Sequence, residues 1–323
     1  MSVKSQEKYK RILITGGAGF IGANLARKLI SLPGFKVFII EKRNTNLWRL
    51  KDIINKVNIK YVDLENQNGL SEVINDINPS VVFHLASYGV YSSSQSDLRK
   101  MVRVNIEGTL NLIDSLKSHP ISSFVYTGTC FEYKEKKSKI NENDIIEPLN
   151  FYAITKFTAE LFLKKLAEEE NMPIINLRLF TPYGYHEDGQ RVIPHIILSA
   201  LKNKKIELTS PDNARDFIFI EDVVNLFSKI ARNNNNYHGE IFNIGSGGQQ
   251  SVRDVVSTIE KLLGKKLDVK YGSRASYYRK DRKFFSANNA KAKSIFNWQI
   301  EHDFESGIGK TIDWFKKNKK LYL

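Results

Sequence analysis

Tyr152 and Lys156 stand four residues apart in the run Phe151-Tyr152-Ala153-Ile154-Thr155-Lys156. In a helix that interval sets the phenol and the amine one above the other on a single face. A neighbouring ammonium stabilises a phenolate and lowers a pKa that starts near ~10, which makes tyrosine a usable acid or base around neutrality. Any helix can carry this pair by chance. Thr129, upstream at the end of a predicted strand, and a nucleotide-binding framework around all three give the pair its meaning.

That framework begins at Arg11-Ile12-Leu13-Ile14-Thr15-Gly16-Gly17-Ala18-Gly19-Phe20-Ile21-Gly22. The run Ile12 to Ile14 suits a strand buried on both faces, and apolar residues recur at helical spacing after the glycines. Gly16 permits a tight turn, Gly19 lets backbone approach a pyrophosphate, and Gly22 lets helix pack on strand, with the helix N-terminus left to attract the anion. A second strand, Lys36 to Glu41, ends in an acid about twenty residues beyond the glycines, where a ribose-binding carboxylate belongs. Glu41 is suited to both ribose hydroxyls of NAD, whereas Lys42 and Arg43 are suited to the 2′-phosphate of NADP, and both cofactors stay open. Ile59 to Asp63 reads as a third strand, with Asp63 at the adenine edge, and Val81 to Leu85 as a fourth. Its tail, His84 to Gly89, lies at the strand end where an open parallel sheet binds ligands.

The helical pattern from Asp97 to Leu116 carries Asn105, either a satisfied core amide or a group that orders active-site water. Ser122 to Thr127 and Ile174 to Leu179 complete six strands alternating with helices, so the fold class is α/β with a doubly wound, Rossmann-like parallel sheet. Beyond Thr181 the rhythm changes. Residues 182–190 form a loop, a helix is entered through Pro194, Ala214 to Ile220 reads as one strand, and Ile241 to Ile244 as another. Residues 1–180 form the dinucleotide-binding domain, with 216–245 returning to it. Residues 181–215 and 246–323 form a smaller, interleaved substrate region.

The 323 residues are 41% hydrophobic and 26% charged, which is ordinary for a soluble globular chain. The net charge of +14 is scattered in short lysine clusters rather than on one periodic face, so solvated surface lysines are favoured over a nucleic-acid groove. One cysteine permits no internal disulfide, and there is neither a signal-like start nor an apolar run of membrane length. A cytoplasmic location without a membrane contact follows as the default. The histidines show no metal-ligand spacing, and no metal is expected.

These pieces resemble the extended short-chain dehydrogenase/reductases of the NAD-dependent epimerase/dehydratase kind, which act on nucleotide sugars. The match runs over nearly the whole length: the glycine turn, His84-Leu85-Ala86, Asn105 to Thr109, Tyr152 to Lys156, Leu177-Arg178, Tyr183-Gly184, Arg215-Asp216-Phe217 with Asp222-Val223, and Asn243-Ile244-Gly245. The resemblance implies that Tyr152 is the proton donor or acceptor, that Lys156 holds the nicotinamide ribose and tunes Tyr152, and that Thr129 hydrogen-bonds the reacting oxygen. It implies cofactor contacts from Phe20, Ile21, Leu64, Leu85 and Ala86 beside the glycines, and substrate contacts from Ser87, Thr181, Arg191, Arg215 and Arg279. The partner is then a nucleoside-diphosphate sugar, and a homodimer through a four-helix contact is the family habit.

Departures from the family pattern narrow the reaction. The 4,6-dehydratases carry acid directly after the Ser/Thr, where this chain has Cys130 and Phe131. The 3,5-epimerase/reductases use a cysteine two places after the Ser and a histidine before Val-Ile-Pro, where this chain has Phe131 and Arg191. What survives is redox at one carbon, C4. Segment Asn46 to Leu50 is similar to 4-ketoreductases, and Thr181 replaces the usual epimerase Asn. Reduction of a 4-keto-6-deoxy sugar therefore comes first, a 4-epimerase with retained NAD second, and an inactive RNA-binding member of the fold third.

Overall fold

The computed structural model describes residues 9–90, 95–233, 237–273 and 284–322. In chain order, β1 (Lys10–Thr15), β2 (Phe35–Glu41), β3 (Asn58–Tyr61) and β4 (Val81–His84) alternate with α1 (Phe20–Ile30) and α2 (Gln67–Ile77). After α3 (Leu98–Val102) and α4 (Gly108–Leu116) come β5 (Ser123–Thr129), α5 (Phe151–Glu170), β6 (Ile174–Leu179) and β7 (Thr181–Tyr183). Then follow α6 (Val192–Leu201), β8 (Ile206–Glu207), β9 (Ala214–Arg215), β10 (Phe217–Phe219), α7 (Ile220–Arg232) and β11 (Glu240–Ile244). The remainder holds β12 (Gln250–Ser251), α8 (Val252–Leu263), β13 (Val269–Lys270), α9 (Ala290–Phe296) and α10 (Phe304–Asn318).

Seven strands form one sheet in the order β11-β6-β5-β4-β1-β2-β3. The pairings of β1 with β2 and β4, of β2 with β3 and of β4 with β5 are parallel. The chain winds outward in both directions from β1 and β4, so the strand order reverses there, at the position where such sheets take their ligands. The doubly wound fold expected from the sequence is the one observed. Register aligns Thr15 with His84 and His84 with Tyr126, so the chemistry-bearing ends of β1, β4 and β5 lie side by side.

Two compact units emerge. The first comprises Met1–Thr127, Ile154–Asn176 and Phe227–Glu240. Leu13, Phe38, Val82, Phe124 and Tyr126 from its strands pack there with Leu70, Ile74, Leu112, Leu116 and Leu163 from α2, α4 and α5. Each such side chain contributes roughly 1.5–3 kcal/mol on burial. The second unit comprises Gly128–Ala153, Leu177–Leu226 and Ile241–Leu323, and one of its apolar clusters joins Cys130, Tyr133, Ile140, Phe180, Phe285 and Ala287. Among the described residues no helix is long and apolar enough to cross a membrane.

Two elements differ from their sequence patterns. The segment read as one strand over 214–220 is β9 and β10, interrupted at Asp216. That carboxylate is buried and accepts from the Ser246 amide and hydroxyl (both 2.7 Å), the Gly247 amide (3.0 Å) and the Ala287 amide (2.9 Å). The helix read over 97–116 contains a π turn at Arg103–Glu107, a feature that tends to occur at functional positions.

Candidate active site

In the first unit, β1 runs straight into the glycine turn because nothing larger fits it. Gly16 has φ +72°, and a Cβ there would meet the Ala86 amide nitrogen at 2.7 Å. A Cβ on Gly22 would lie 2.4 Å from the Gly16 carbonyl oxygen, so only glycine lets α1 start this close to β1. Gly19 is exposed, and a Cβ there would meet only the Gly16 oxygen, at 3.1 Å. The N-terminus of α1, with Gly19 as its cap, has no side-chain cap and no acid in its first turn. An open face over uncapped amides at a positive helix end fits a pyrophosphate. Phe20 and Ile21 open the same helix.

Glu41 ends β2 beside this turn and accepts the Ala18 amide at 2.6 Å. Burial pushes its carboxyl up, while the Ala18 amide and the Thr45 hydroxyl pull it back. Lys42 is held by Asp63 at 2.8 Å and by Glu65 at 3.5 Å. Of the two cations expected to be available for a 2′-phosphate, Lys42 and Arg43, the first is therefore already between two carboxylates, and Asp63, expected at the adenine edge, is one of them. Leu64 is buried in the core of the unit, and Leu85, Ala86 and Ser87 follow β4 at the sheet edge, half-buried.

Beneath that edge lies a hydrogen-bond chain whose protons can be placed. Thr109 Oγ1 donates to the Asn105 carbonyl (2.8 Å), so it accepts from His84 Nε2 (2.8 Å). His84 Nδ1 is then an acceptor and takes the Thr15 hydroxyl proton at 2.7 Å. The Asn105 side chain accepts the Tyr88 amide and donates to the Tyr88 carbonyl and to Thr155 Oγ1, each at 2.8 Å. Asn105 is thus a satisfied amide that ties the π turn to α5, one residue before Lys156. Lys156 is 1% exposed, and its Nζ sits 4.0 Å from the centre of the Tyr126 ring, a contact that favours the ammonium. The Tyr126 hydroxyl donates to the Lys156 carbonyl at 3.0 Å.

Burial, aided by the Lys156 charge, pushes His84 down to about 3. The unfolded chain, with histidine near ~6.5, then binds more protons than the folded one between those values. The stability that neutral His84 contributes is present above that window and falls by about 1.4 kcal/mol per pH unit as pH drops through it. Urea melts of the protein and of His84→Asn between about pH 6.5 and 4.5 check this: the substitution is expected to lower the slope of stability against pH by about 1.4 kcal/mol per unit, whatever it does to absolute stability. Buried Glu187, in the second unit, acts in the opposite sense. Its carboxyl is pushed up to about 8 by burial, against the pull of Arg191.

In the second unit, Asn150 accepts the Ala153 amide at 2.8 Å. This N-cap starts α5 at Phe151 and puts Tyr152 in its first turn, and the four-residue interval then carries the phenol and Lys156 on one helix face. Thr129 closes β5 and begins a short 3₁₀ turn, Cys130–Glu132. Its Oγ1 accepts the Phe131 amide at 3.3 Å, and its own amide donates to Glu132 Oε1 at 2.8 Å. The hydroxyl proton of Thr129 has no acceptor among the described residues, so it is available to donate. Thr181 Oγ1 is buried and without a hydrogen-bond partner among the described residues. Arg191 caps α6 with its Nε 3.6 Å from Glu187 Oε1. Arg215 lies on β9, paired antiparallel with Gln250 of β12. Arg279 lies outside the described residues.

Sequence reasoning assigned no role to three residues, Glu132, Arg178 and Asp216. Glu132 is buried, with its carboxylate 2.9 Å from buried Arg178 Nε, although Thr129-x-x-Glu132 is the capping-box spacing. Asp216 hid inside an apolar run because its partners lie 30 to 71 residues away in sequence.

The comparisons with known proteins agree on the family. A profile of the NAD dependent epimerase/dehydratase family matches residues 12–245. The chain is 29% identical over 320 residues to the UDP-glucuronate 4-epimerase of Thermodesulfobacterium geofontis, covering 96% of this chain and 97% of that one. It is 27% identical over 326 residues to a trifunctional UDP-glucose 4,6-dehydratase/UDP-4-keto-6-deoxy-D-glucose 3,5-epimerase/UDP-4-keto-L-rhamnose-reductase of Arabidopsis thaliana, covering 98% of this chain but 48% of that protein, so it spans about half its length. The crystal structure of UDP-glucuronic acid 4-epimerase from Bacillus cereus, in complex with UDP-glucuronic acid and NAD, superposes with a TM-score of 0.85 at 26% identity over 95% of this chain and 99% of that one. On the glycine turn, the sheet and the matched residues, the chain belongs to the NAD dependent epimerase/dehydratase family.

Proposed function

We propose that the chain is an NAD-dependent epimerase acting at C4 of a nucleoside-diphosphate sugar. The observation that carries this reading is the placement of Lys42 between Asp63 and Glu65. With Lys42 engaged and Glu41 at the end of β2, a carboxylate reads the adenosine ribose, which favours NAD over NADP although Arg43 comes next in the chain. Epimerisation needs no net reductant, so tightly kept NAD suffices for it.

Held by the glycine turn, Glu41 and Lys156, NAD would supply a reversible hydride acceptor at C4, and return to the other face would require the keto sugar to turn over in between. Tyr152 takes the C4 hydroxyl proton as hydride leaves and gives it back on return. Lys156 keeps the phenol acidic enough to do both, and Thr129 donates to the same oxygen, stabilising charge as it develops there. Arg215 and Arg279 hold the diphosphate or nucleoside, Arg191 reaches the sugar-phosphate region, and Ser87 and Thr181 contact the sugar. Dehydration has no candidate acid at Cys130 or Phe131, and Glu132 is already committed to Arg178 and the Thr129 amide.

Reduction of a 4-keto-6-deoxy sugar is the second reading, favoured by Thr181 in place of the epimerase Asn. Acid release of nucleotide from the purified protein separates the two. NAD recovered from a protein that interconverts sugar C4 epimers without added reductant supports the epimerase. A protein that consumes added NADPH only when offered a 4-keto sugar overturns it in favour of the reductase.

A homodimer is part of the same proposal. Along α5 the exposed side chains Ile154, Leu161 and Phe162 repeat at helical spacing, and Leu98 and Val102 are exposed on α3. Leu161→Glu/Phe162→Glu is expected to shift the mass measured by light scattering from twice 37.1 kDa to that of one chain. An unchanged mass would remove α5 from the interface.

A further inference from the structure

We infer that the buried Glu132–Arg178 ion pair is a positioning device for Thr129, holding the turn in which the threonine hydroxyl proton stays available to the sugar oxygen. This rests on the role proposed for Thr129 above. Glu132 Oε1 takes the Thr129 amide (2.8 Å), and Oε2 lies 2.9 Å from Arg178 Nε as an ion pair rather than a hydrogen bond, so the group is held as a carboxylate and not as a proton donor. The reciprocal contact, the Phe131 amide on Thr129 Oγ1, fills one acceptor position of the hydroxyl and leaves its proton uncommitted.

Arg178 is fixed in turn. Its guanidinium lies 4.6 Å from the centre of the Tyr133 ring and donates through Nη1 to the Glu142 carbonyl at 3.3 Å. The Tyr133 hydroxyl donates to Asn243 Oδ1 (2.7 Å), the Asn243 amide donates to Glu142 Oε1 (2.9 Å), and Asn243 Nδ2 donates to the Ile140 carbonyl (2.9 Å). Of these segments β6 alone meets the carboxylate, through Arg178, while β11 and the loop at 140–142 brace Arg178 and Tyr133 beside it. A buried ion pair is weak as a source of stability, since well-packed apolar residues of similar volume commonly do as well. An apolar residue at 132 would leave the Thr129 amide without an acceptor and the turn unanchored. Fixing one hydroxyl to a fraction of an ångström accounts for the charges where stability does not.

The test is a double-mutant cycle of Thr129→Ala and Glu132→Gln, with sugar interconversion followed for UDP-glucuronic acid, UDP-glucose and dTDP-, GDP- and CDP-linked hexoses. Glu132→Gln keeps an acceptor for the Thr129 amide but drops the charge that orients it. It is expected to lower kcat by about 10- to 100-fold with KM little changed, and to have almost no further effect in the Thr129→Ala background. Thermal melts and retained nucleotide report the fold. If stranding Arg178 unfolds the single variant, Glu132→Gln/Arg178→Met takes its place in the same cycle. Equal losses of kcat in both backgrounds, or no loss in either, overturn the positioning role. Unchanged kcat in Thr129→Ala alone, or no turnover of any sugar nucleotide by the unmodified protein, overturns the underlying reading instead.

Discussion

Tyr152→Phe is expected to lower turnover about a thousandfold while leaving the melting temperature and the retained nucleotide unchanged. The substitution removes one oxygen and keeps the ring. Tyr152 is half-buried in the first turn of α5, whose start is set by the Asn150 side chain on the Ala153 amide. The helix and Lys156 therefore stay in place when the hydroxyl goes. The residual rate measures what Thr129 and bound cofactor achieve without a proton carrier. Steady-state kcat on UDP-glucuronic acid or UDP-glucose, together with nucleotide released on denaturation, checks the expectation. Loss of nucleotide together with activity would show that Tyr152 serves binding instead.

Lys156→Met is expected to cost about a hundredfold at neutral pH, much of it recoverable by raising the pH. A unit cation about 6 Å from a phenolate, at an effective dielectric near ~20, would stabilise it by roughly 2.8 kcal/mol, or about two pH units. If Lys156 acts on Tyr152 as proposed, its removal raises the phenol pKa and the acid limb of the pH-rate profile moves up by about that interval. Methionine preserves most of the side-chain volume in a position that is 1% exposed against the Tyr126 ring. His84, whose pKa is lowered in part by the same charge, loses that contribution and titrates higher in the variant. A drop in rate with no movement of the acid limb would mean that Lys156 acts only through the cofactor ribose.

What the chain discloses in sequence is local and steric. The Gly16 to Gly22 turn is legible because backbone approaches within 2.4 Å of where a side chain would begin, a constraint that leaves one residue type. The acid at Glu41 is legible because strand length fixes its distance from that turn. The break at Asp216 is not, because an apolar run reads the same whether its one carboxylate faces water or four donors from Ser246, Gly247 and Ala287. The π turn around Asn105 escapes a 3.6-residue pattern for the same reason. It is stabilised by Tyr88 and by Thr155, fifty residues further on. Glu132 and Arg178 lie on different strands of argument in the sequence, one in a capping spacing and the other in a strand, and only folding makes them a pair. Lys42, read as a candidate partner for a 2′-phosphate, has its charge met by Asp63 and Glu65, two groups that strand β3 delivers.

The most direct test of oxidation at a sugar carbon is turnover of a sugar nucleotide carrying deuterium at C4, compared with its protiated form, by protein holding only its own nucleotide. A primary isotope effect, with the label retained at C4 in the epimerised product, is the expected result. Interconversion with no isotope effect, or no interconversion of any sugar nucleotide by a protein that binds RNA in a salt-sensitive way, would contradict it.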